Sequence, residues 1–336
     1  MESYPDVAEE VIRMYGYDHV TPTFMPTAKV TTGGCNLKQK TDMRLKRALC
    51  GTGAHECIHY SFFSPADLDM LKLPEDAKER MAIPLINPIN EGLSIMRTTL
   101  AASMIHAMAR NQKRGNLEGR LYEMGSIFVP KALPLTEYPE EQNVLCVGLF
   151  GDKEDFFTLK GMAEVVADTL SIKFTYERTT KTFLHPYQTA AIMYNGEEVG
   201  YLGKVSYEIM DSEDMRTGAY VMEINLEKLS DSFGNVPKFN PLPKYAEEKR
   251  DLALVMSKEI TCGQVEDCIK ESCAYVTDVK LFDVYEGKPI PEDKKSMAFT
   301  VVFTPKDEEF GADSVDGFVE TILKKLNKKL EIELRA

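Results

Sequence analysis

From Arg250 to Arg335 the apolar spacing switches between two residues and 3.6 in a fixed order, and that order leaves few folds open. Arg250-Asp-Leu-Ala-Leu-Val-Met256 alternates as a strand does. A helical segment follows, then Val279-Lys-Leu-Phe-Asp-Val-Tyr-Glu-Gly287 and Lys294-Lys-Ser-Met-Ala-Phe-Thr-Val-Val-Phe303. A long amphipathic helix and a closing Glu331-Ile-Glu-Leu-Arg335 complete the set. Strand, helix, strand, strand, helix, strand is the split βαβ pattern, in which one sheet face is left open. The proline-rich stretch from Pro237 to Pro243 reads as the linker ahead of it.

The 336 residues have room for two or three domains. No apolar run approaches the roughly 20 residues that cross a bilayer, and the start does not read as a signal peptide. The chain opens inside an amphipathic pattern, as a fragment of something longer would. Seven cysteines without a CxxC pair predict free, mostly buried thiols in a reducing, cytoplasmic compartment. The net charge is −13, and residues 241–336 hold 15 Lys+Arg against 20 Asp+Glu. A nucleic-acid contact must then rest on a local basic patch or on a partner chain.

The preceding region reads as α+β: antiparallel strands interleaved with helices. Val7, Val11, Met14 and Tyr15 share one helix face over residues 4–17, with Asp6 as N-cap or first-turn acid. A Thr-Pro-rich linker runs from Thr21 to Pro26. Helices are expected over 38–49, from Ser64, over 96–111, and from Asp155 to near Ser171. Strands are expected over 59–63, 120–129, 143–150 and 218–225. Asn195-Gly196 is a hairpin turn between 190–194 and 198–201.

The words RDLALV, LFDVYEG and KKSMAF, in this order, resemble the ferredoxin-like anticodon-binding domain that ends the β chain of bacterial phenylalanyl-tRNA synthetase. Four upstream phrases resemble the core of the same β chain: Asn87-Pro-Ile-Asn-Glu-Gly-Leu-Ser-Ile-Met-Arg97, Arg120-Leu-Tyr-Glu123-Met-Gly, Asp155-Phe-Phe-Thr-Leu-Lys-Gly161, and Leu184-His-Pro-Tyr with Gly200-Tyr-Leu-Gly203. That core is similar to a class II synthetase catalytic domain but is inert in the family. The resemblance divides the chain into the end of a small preceding domain (1–26), the inert core (27–236) and the anticodon-binding domain (241–336). It departs from the family at Tyr187-Gln188, where Gly-Arg is usual, and again after Thr304, where a reshaped loop is expected. It implies a catalytic α-chain partner in an α2β2 assembly, tRNA(Phe), ATP used by the α chain, and Mg²⁺ shared with it.

Amino-acid activation builds negative charge on phosphorus, so an active site needs converging arginines and Mg²⁺. Active class II enzymes take one arginine from an Arg-x-Glu strand. Here Arg120 stands three residues before Glu123, which puts the two on opposite strand faces. Between Leu202 and Leu229 the one arginine is Arg216, with no Gly-rich approach. No GxSxG, HExxH or phosphate-binding loop offers another chemistry. His55 and His59 have metal-compatible spacing if helical, but a surface and a strand histidine are expected; His185 reads as a turn residue.

Asp6, Glu9 and Glu10 could offer oxygen ligands to Mg²⁺; the resemblance gives this phrase that role, with a further upstream acid that is absent here. A helix start rich in acids explains the same residues without a metal. For tRNA the candidates are Arg250, Tyr285, Lys288, Lys294, Lys295 and Lys306. Phe282 and Tyr285, three apart in one strand, should face opposite sides, with Phe282 in the core. The alternatives are a stand-alone RNA-binding or interaction module, and a self-sufficient enzyme with Arg120 and Glu123 in an ATP site.

Overall fold

The structure, a computed structural model, describes residues 3–23, 33–239, 241–306, 308–311 and 314–335. The Thr-Pro linker leaves the described residues after Thr23. The chain forms two compact units, Met1–Pro237 and Lys238–Ala336.

The first unit contains α1 (Tyr4–Tyr15), α2 (Leu37–Gly51), β1 (His55–Glu56), β2 (Phe62–Phe63), α3 (Pro65–Met70), β3 (Ile95–Met96) and α4 (Ala101–Lys113). β4 (Gly119–Val129), β5 (Glu140–Phe150), α5 (Phe156–Leu170), β6 (Thr175–Arg178), β7 (Leu184–Tyr194), β8 (Glu197–Val205), α6 (Tyr207–Ser212) and β9 (Ala219–Asn225) follow. Seven strands form one sheet in the order β1-β4-β5-β9-β8-β7-β6. Only β1 runs parallel to its neighbour; the other pairings are antiparallel.

Both sheet faces are covered, which explains why β5 reads as a continuous apolar run. Leu145, Val147 and Leu149 face α2 and α5, against Leu45, Leu49, Leu159 and Val166. Val144, Cys146 and Phe150 face α4, against Met104, Ile105 and Met108. Gly148 lies under α4: a Cβ there would come within 2.7 Å of Met104 Cγ. Gly200 permits a closer approach still, since a Cβ would stand 2.2 Å from the Glu223 carbonyl oxygen on β9. The 195–196 hairpin joins β7 and β8, with Asn195 at φ 51° and Gly196 at φ 83°.

Several expectations need correction. α4 starts at Ala101, because Met96 belongs to the two-residue β3 and Glu223 caps the helix start. The expected 59–63 strand shrinks to Phe62–Phe63, because Arg97 holds the carbonyls of Tyr60 and Ser61. Of the two roles offered for Asp6 the structure gives the first-turn acid: Ser3 is the N-cap of α1, and Asp6 completes a capping box with it. Two cysteines are buried, three are half-buried, and Cys35 and Cys50 are exposed. His185 sits on β7, where its Nδ1 accepts from the Tyr187 amide. No helix among the described residues is long and apolar enough to cross a membrane.

The second unit contains β10 (Glu248–Ser257), α7 (Cys262–Ser272), β11 (Val276–Tyr285), β12 (Lys294–Phe303), α8 (Ser314–Leu330) and β13 (Glu333–Leu334). The sheet order is β11-β12-β10-β13, all antiparallel. Leu252, Leu254, Met256, Met297, Phe299 and Val301 face α7 and α8 and meet Val265, Ile269, Ile322 and Leu326. The opposite face carries Asp251, Ala253, Val255, Ser296, Ala298 and Thr300 by register.

Candidate functional site

Glu123 on β4 is the most deeply placed acid on the α4 side of the large sheet, 3% exposed. Arg97, just past β3 and equally buried, pairs its guanidinium with Glu123 Oε1 at 2.8 Å. Arg97 Nε donates to the Ser126 carbonyl at 2.8 Å. Gly125 makes room for the guanidinium, since a Cβ there would stand 2.5 Å from Arg97 Nη2. His59 Nδ1 holds the other oxygen, Oε2, at 2.5 Å. Burial pushes the Glu123 carboxyl upward, but the His59 hydrogen bond and the Arg97 charge outweigh it and hold it below its ordinary value. Cys57 completes the cluster, its thiol donating to the Tyr122 carbonyl at 3.3 Å. Burial, reinforced by Glu123, pushes that thiol up to about 12.

A second acid on this face, the half-buried Glu223 on β9, accepts from the Leu100 amide at 2.7 Å and from Thr99 Oγ1 at 2.8 Å. It fills the position at the start of α4 where an anion would otherwise be attracted. Burial raises its carboxyl despite those bonds.

The arrangement disposes of the candidate phosphate-binding arginines. Arg120 shares the α2/α5 face through its pairing with Leu149, and bonds Glu154 Oε1 at 2.8 Å and the Thr52 carbonyl at 2.7 Å. Arg97 is committed to Glu123. Arg216 lies on a surface pocket with Lys113, Asp211 and Asp214. Arg120, Arg97 and Arg216 therefore do not converge on one cavity. His55 is exposed, on β1, and His59 lies in neither a helix nor a strand, so the helical metal spacing of the two does not arise.

Of the three acids on α1, Asp6 is engaged by Ser3 N at 3.0 Å, and Glu10 by Arg13 Nη2 at 2.5 Å. Among the described residues the one trio of potential metal ligands lying within 4.8 Å of one another is Cys57, His59 and Glu123. Asp6, Glu9 and Glu10 do not gather in that way, so the geometry as it stands does not fit Mg²⁺.

In the second unit, Tyr285 stands on the open face, opposite Ser296. Its hydroxyl donates to the Lys288 carbonyl at 2.6 Å, and the Arg335 guanidinium lies 5.1 Å from its ring centroid. Arg335 was not singled out in the sequence. It follows edge strand β13, its amide donates to Ala253 at 2.7 Å, and its side chain crosses to β11 above the small residues Ala253, Ala298 and Ser296. Nothing in an acidic, amphipathic tail marks it; only the strand order does.

Lys288 is exposed in the loop after β11, and Lys294 and Lys295 open β12 beside it. Lys294 pairs with Ser257 on the open face, whereas Lys295 pairs with Met256 and donates to the Lys258 carbonyl at 3.0 Å. Arg250 points to the helix side, between Glu248 at 2.9 Å and Asp316 at 3.5 Å. Lys306 lies past the far end of β12, 5.7 Å from the Tyr275 ring centroid. Tyr285, Lys288 and Lys294 thus form one group, and Arg250 and Lys306 stand apart from it. Phe282 is not core: it is 55% exposed. A bulge between Leu281 and Asp283 inserts it as an extra residue and breaks the alternation.

Residues 21–226 match the family model for the phenylalanyl tRNA synthetase beta chain CLM domain, and residues 243–335 that for the ferredoxin-fold anticodon binding domain. The phenylalanine–tRNA ligase beta subunit of Clostridium tetani is 36% identical over 334 residues, covering 98% of this chain and 42% of that protein. That of Clostridium acetobutylicum is 33% identical with the same coverages. A solved pyrrolysyl-tRNA synthetase from Desulfitobacterium hafniense overlays with TM-score 0.47 at 15% identity, covering 67% of this chain and 74% of that one. The chain spans less than half the length of these curated relatives. It belongs to the phenylalanyl-tRNA synthetase beta chain family.

Proposed function

We propose that this chain is a non-catalytic part of phenylalanine–tRNA ligase. It supports the catalytic α chain through its core and contacts the anticodon of tRNA(Phe) through its last domain. The observation that carries this reading is a contrast between the two units. In the core, Arg97 and the start of α4 are occupied by Glu123 and Glu223, so neither is free to steady a charged phosphorus centre. In the last domain, Tyr285 and Arg335 lie on an uncovered sheet face, where a base can stack.

The domain reading is kept: 1–26 ends a small preceding domain, 27–236 is the inert core and 241–336 binds the anticodon. ATP is used by the α chain, in an α2β2 cytoplasmic assembly. Mg²⁺ shared with that chain would need Asp6, Glu9 and Glu10 to reorganise beside a further acid, and no step is assigned to it. On the RNA face Tyr285, Lys288 and Lys294 act with Arg335; Lys295 borders the group, while Arg250 and Lys306 have the weakest claim.

The test is to mix the chain with its cognate α chain and tRNA(Phe) and follow complex size. A ternary complex is expected. Amino-acid-dependent pyrophosphate exchange by the isolated chain would overturn the inert-core reading.

A further inference from the structure

The cluster at Cys57, His59 and Glu123 brings three potential metal donors together. One donor atom from each residue lies within 4.8 Å of the other two. The three come from two segments that β1 and β4 hold side by side: Cys57 N donates to the Tyr122 carbonyl at 2.8 Å, one residue before Glu123. The donors are a thiol, an imidazole and a carboxylate, which is the mixture that suits a tetrahedral Zn²⁺ site.

We infer that Cys57, His59 and Glu123 form a structural Zn²⁺ site, with the Tyr122 carbonyl or a water as fourth ligand. Two observations support it. First, one of the three donors borders open space: His59 lines an open pocket of about 280 Å³ with Tyr60, Phe62, Ser103, His106 and Arg110. Second, the ligand carboxylate is already oriented from behind, because Arg97 holds Glu123 Oε1 and leaves Oε2 toward His59. Binding moves protons without redox change. Cys57 loses its thiol proton, and the ring proton between His59 and Glu123 leaves Nδ1, so each ligand presents a lone pair to the metal.

The test uses the full chain, stripped with a chelator and then loaded with Co²⁺ as a spectroscopic substitute for Zn²⁺. One Co²⁺ per chain is expected, with a thiolate-to-cobalt absorption band and a rise in melting temperature on adding Zn²⁺. Cys57→Ser should lose the band. Cys50→Ser, an exposed thiol outside the trio, should keep it, as should a chain carrying Asp6→Asn, Glu9→Gln and Glu10→Gln. A wild-type chain without the thiolate band overturns the proposal whether or not the variants fold, and so does an undiminished band in Cys57→Ser.

Discussion

Glu123, buried, and Glu223, half-buried, are two carboxylates on one sheet face, and their partners give them opposite consequences. Glu123 is matched by a full positive charge, so removing Arg97 strands a buried anion. Arg97→Ala is expected to cost about 3–5 kcal/mol in urea unfolding. The sign of the pH effect follows from the lowered Glu123 carboxyl. Its stabilisation is complete above the ordinary value of 4.5 and is lost as pH falls through the lower folded-state value. A Glu123→Gln chain should therefore be less stable than wild type at neutral pH, with the gap narrowing as pH falls below 4.5. Glu223 has hydrogen bonds but no cation, and burial raises its carboxyl, so ionisation there costs stability. Glu223→Gln keeps an acceptor for Thr99 and Leu100 and should be the milder change. An equal loss for both variants would remove the distinction drawn between charge pairing and capping.

Elements with local causes were legible in the sequence; elements with distant causes were not. The 195–196 hairpin follows from Asn-Gly alone, and β5 from its unbroken apolar run. The start of α4 depends on Glu223, more than a hundred residues away, so periodicity extended that helix too far toward Met96. The bulge that exposes Phe282 has no marker in LFDVYEG, and Arg335 gains its place only from the β13 pairing. The Arg120–Glu123 spacing, by contrast, could be read directly, because strand alternation is a backbone property. Glycines of the phrase Gly-Tyr-Leu-Gly mark strand contact rather than a site: Gly200 admits the β9 backbone, and Gly203 admits the Gln188 carbonyl, where a Cβ would stand 2.8 Å away. Gly200→Ala must push two backbones apart, so it should cost about 3 kcal/mol, the upper end of overpacking. Wild-type stability in that variant would show that β8 and β9 separate freely.

At the scale of the whole molecule, a chain of net charge −13 is an awkward partner for a polyanion. The positive groups around Tyr285 are Lys288, Lys294 and Arg335, while Lys249 and Lys280 lie farther along the open face by register. Each phosphate contact contributes roughly 0.7–0.9 to the slope of log K against log salt, so three contacts give a slope of only about −2 to −3. Stacking on Tyr285 then supplies the larger share, on the order of 1–3 kcal/mol per base. Binding of tRNA(Phe), titrated over a range of salt, separates the two. Tyr285→Ala should lower affinity uniformly and leave the slope unchanged. Lys294→Glu should lower affinity and flatten the slope by about one. Arg250→Ala should leave both untouched, because that guanidinium faces α8 and is held by Glu248 and Asp316. A steep slope in the wild type, or a loss of binding in Arg250→Ala equal to that in Tyr285→Ala, would show that the RNA contact is not confined to the group around Tyr285.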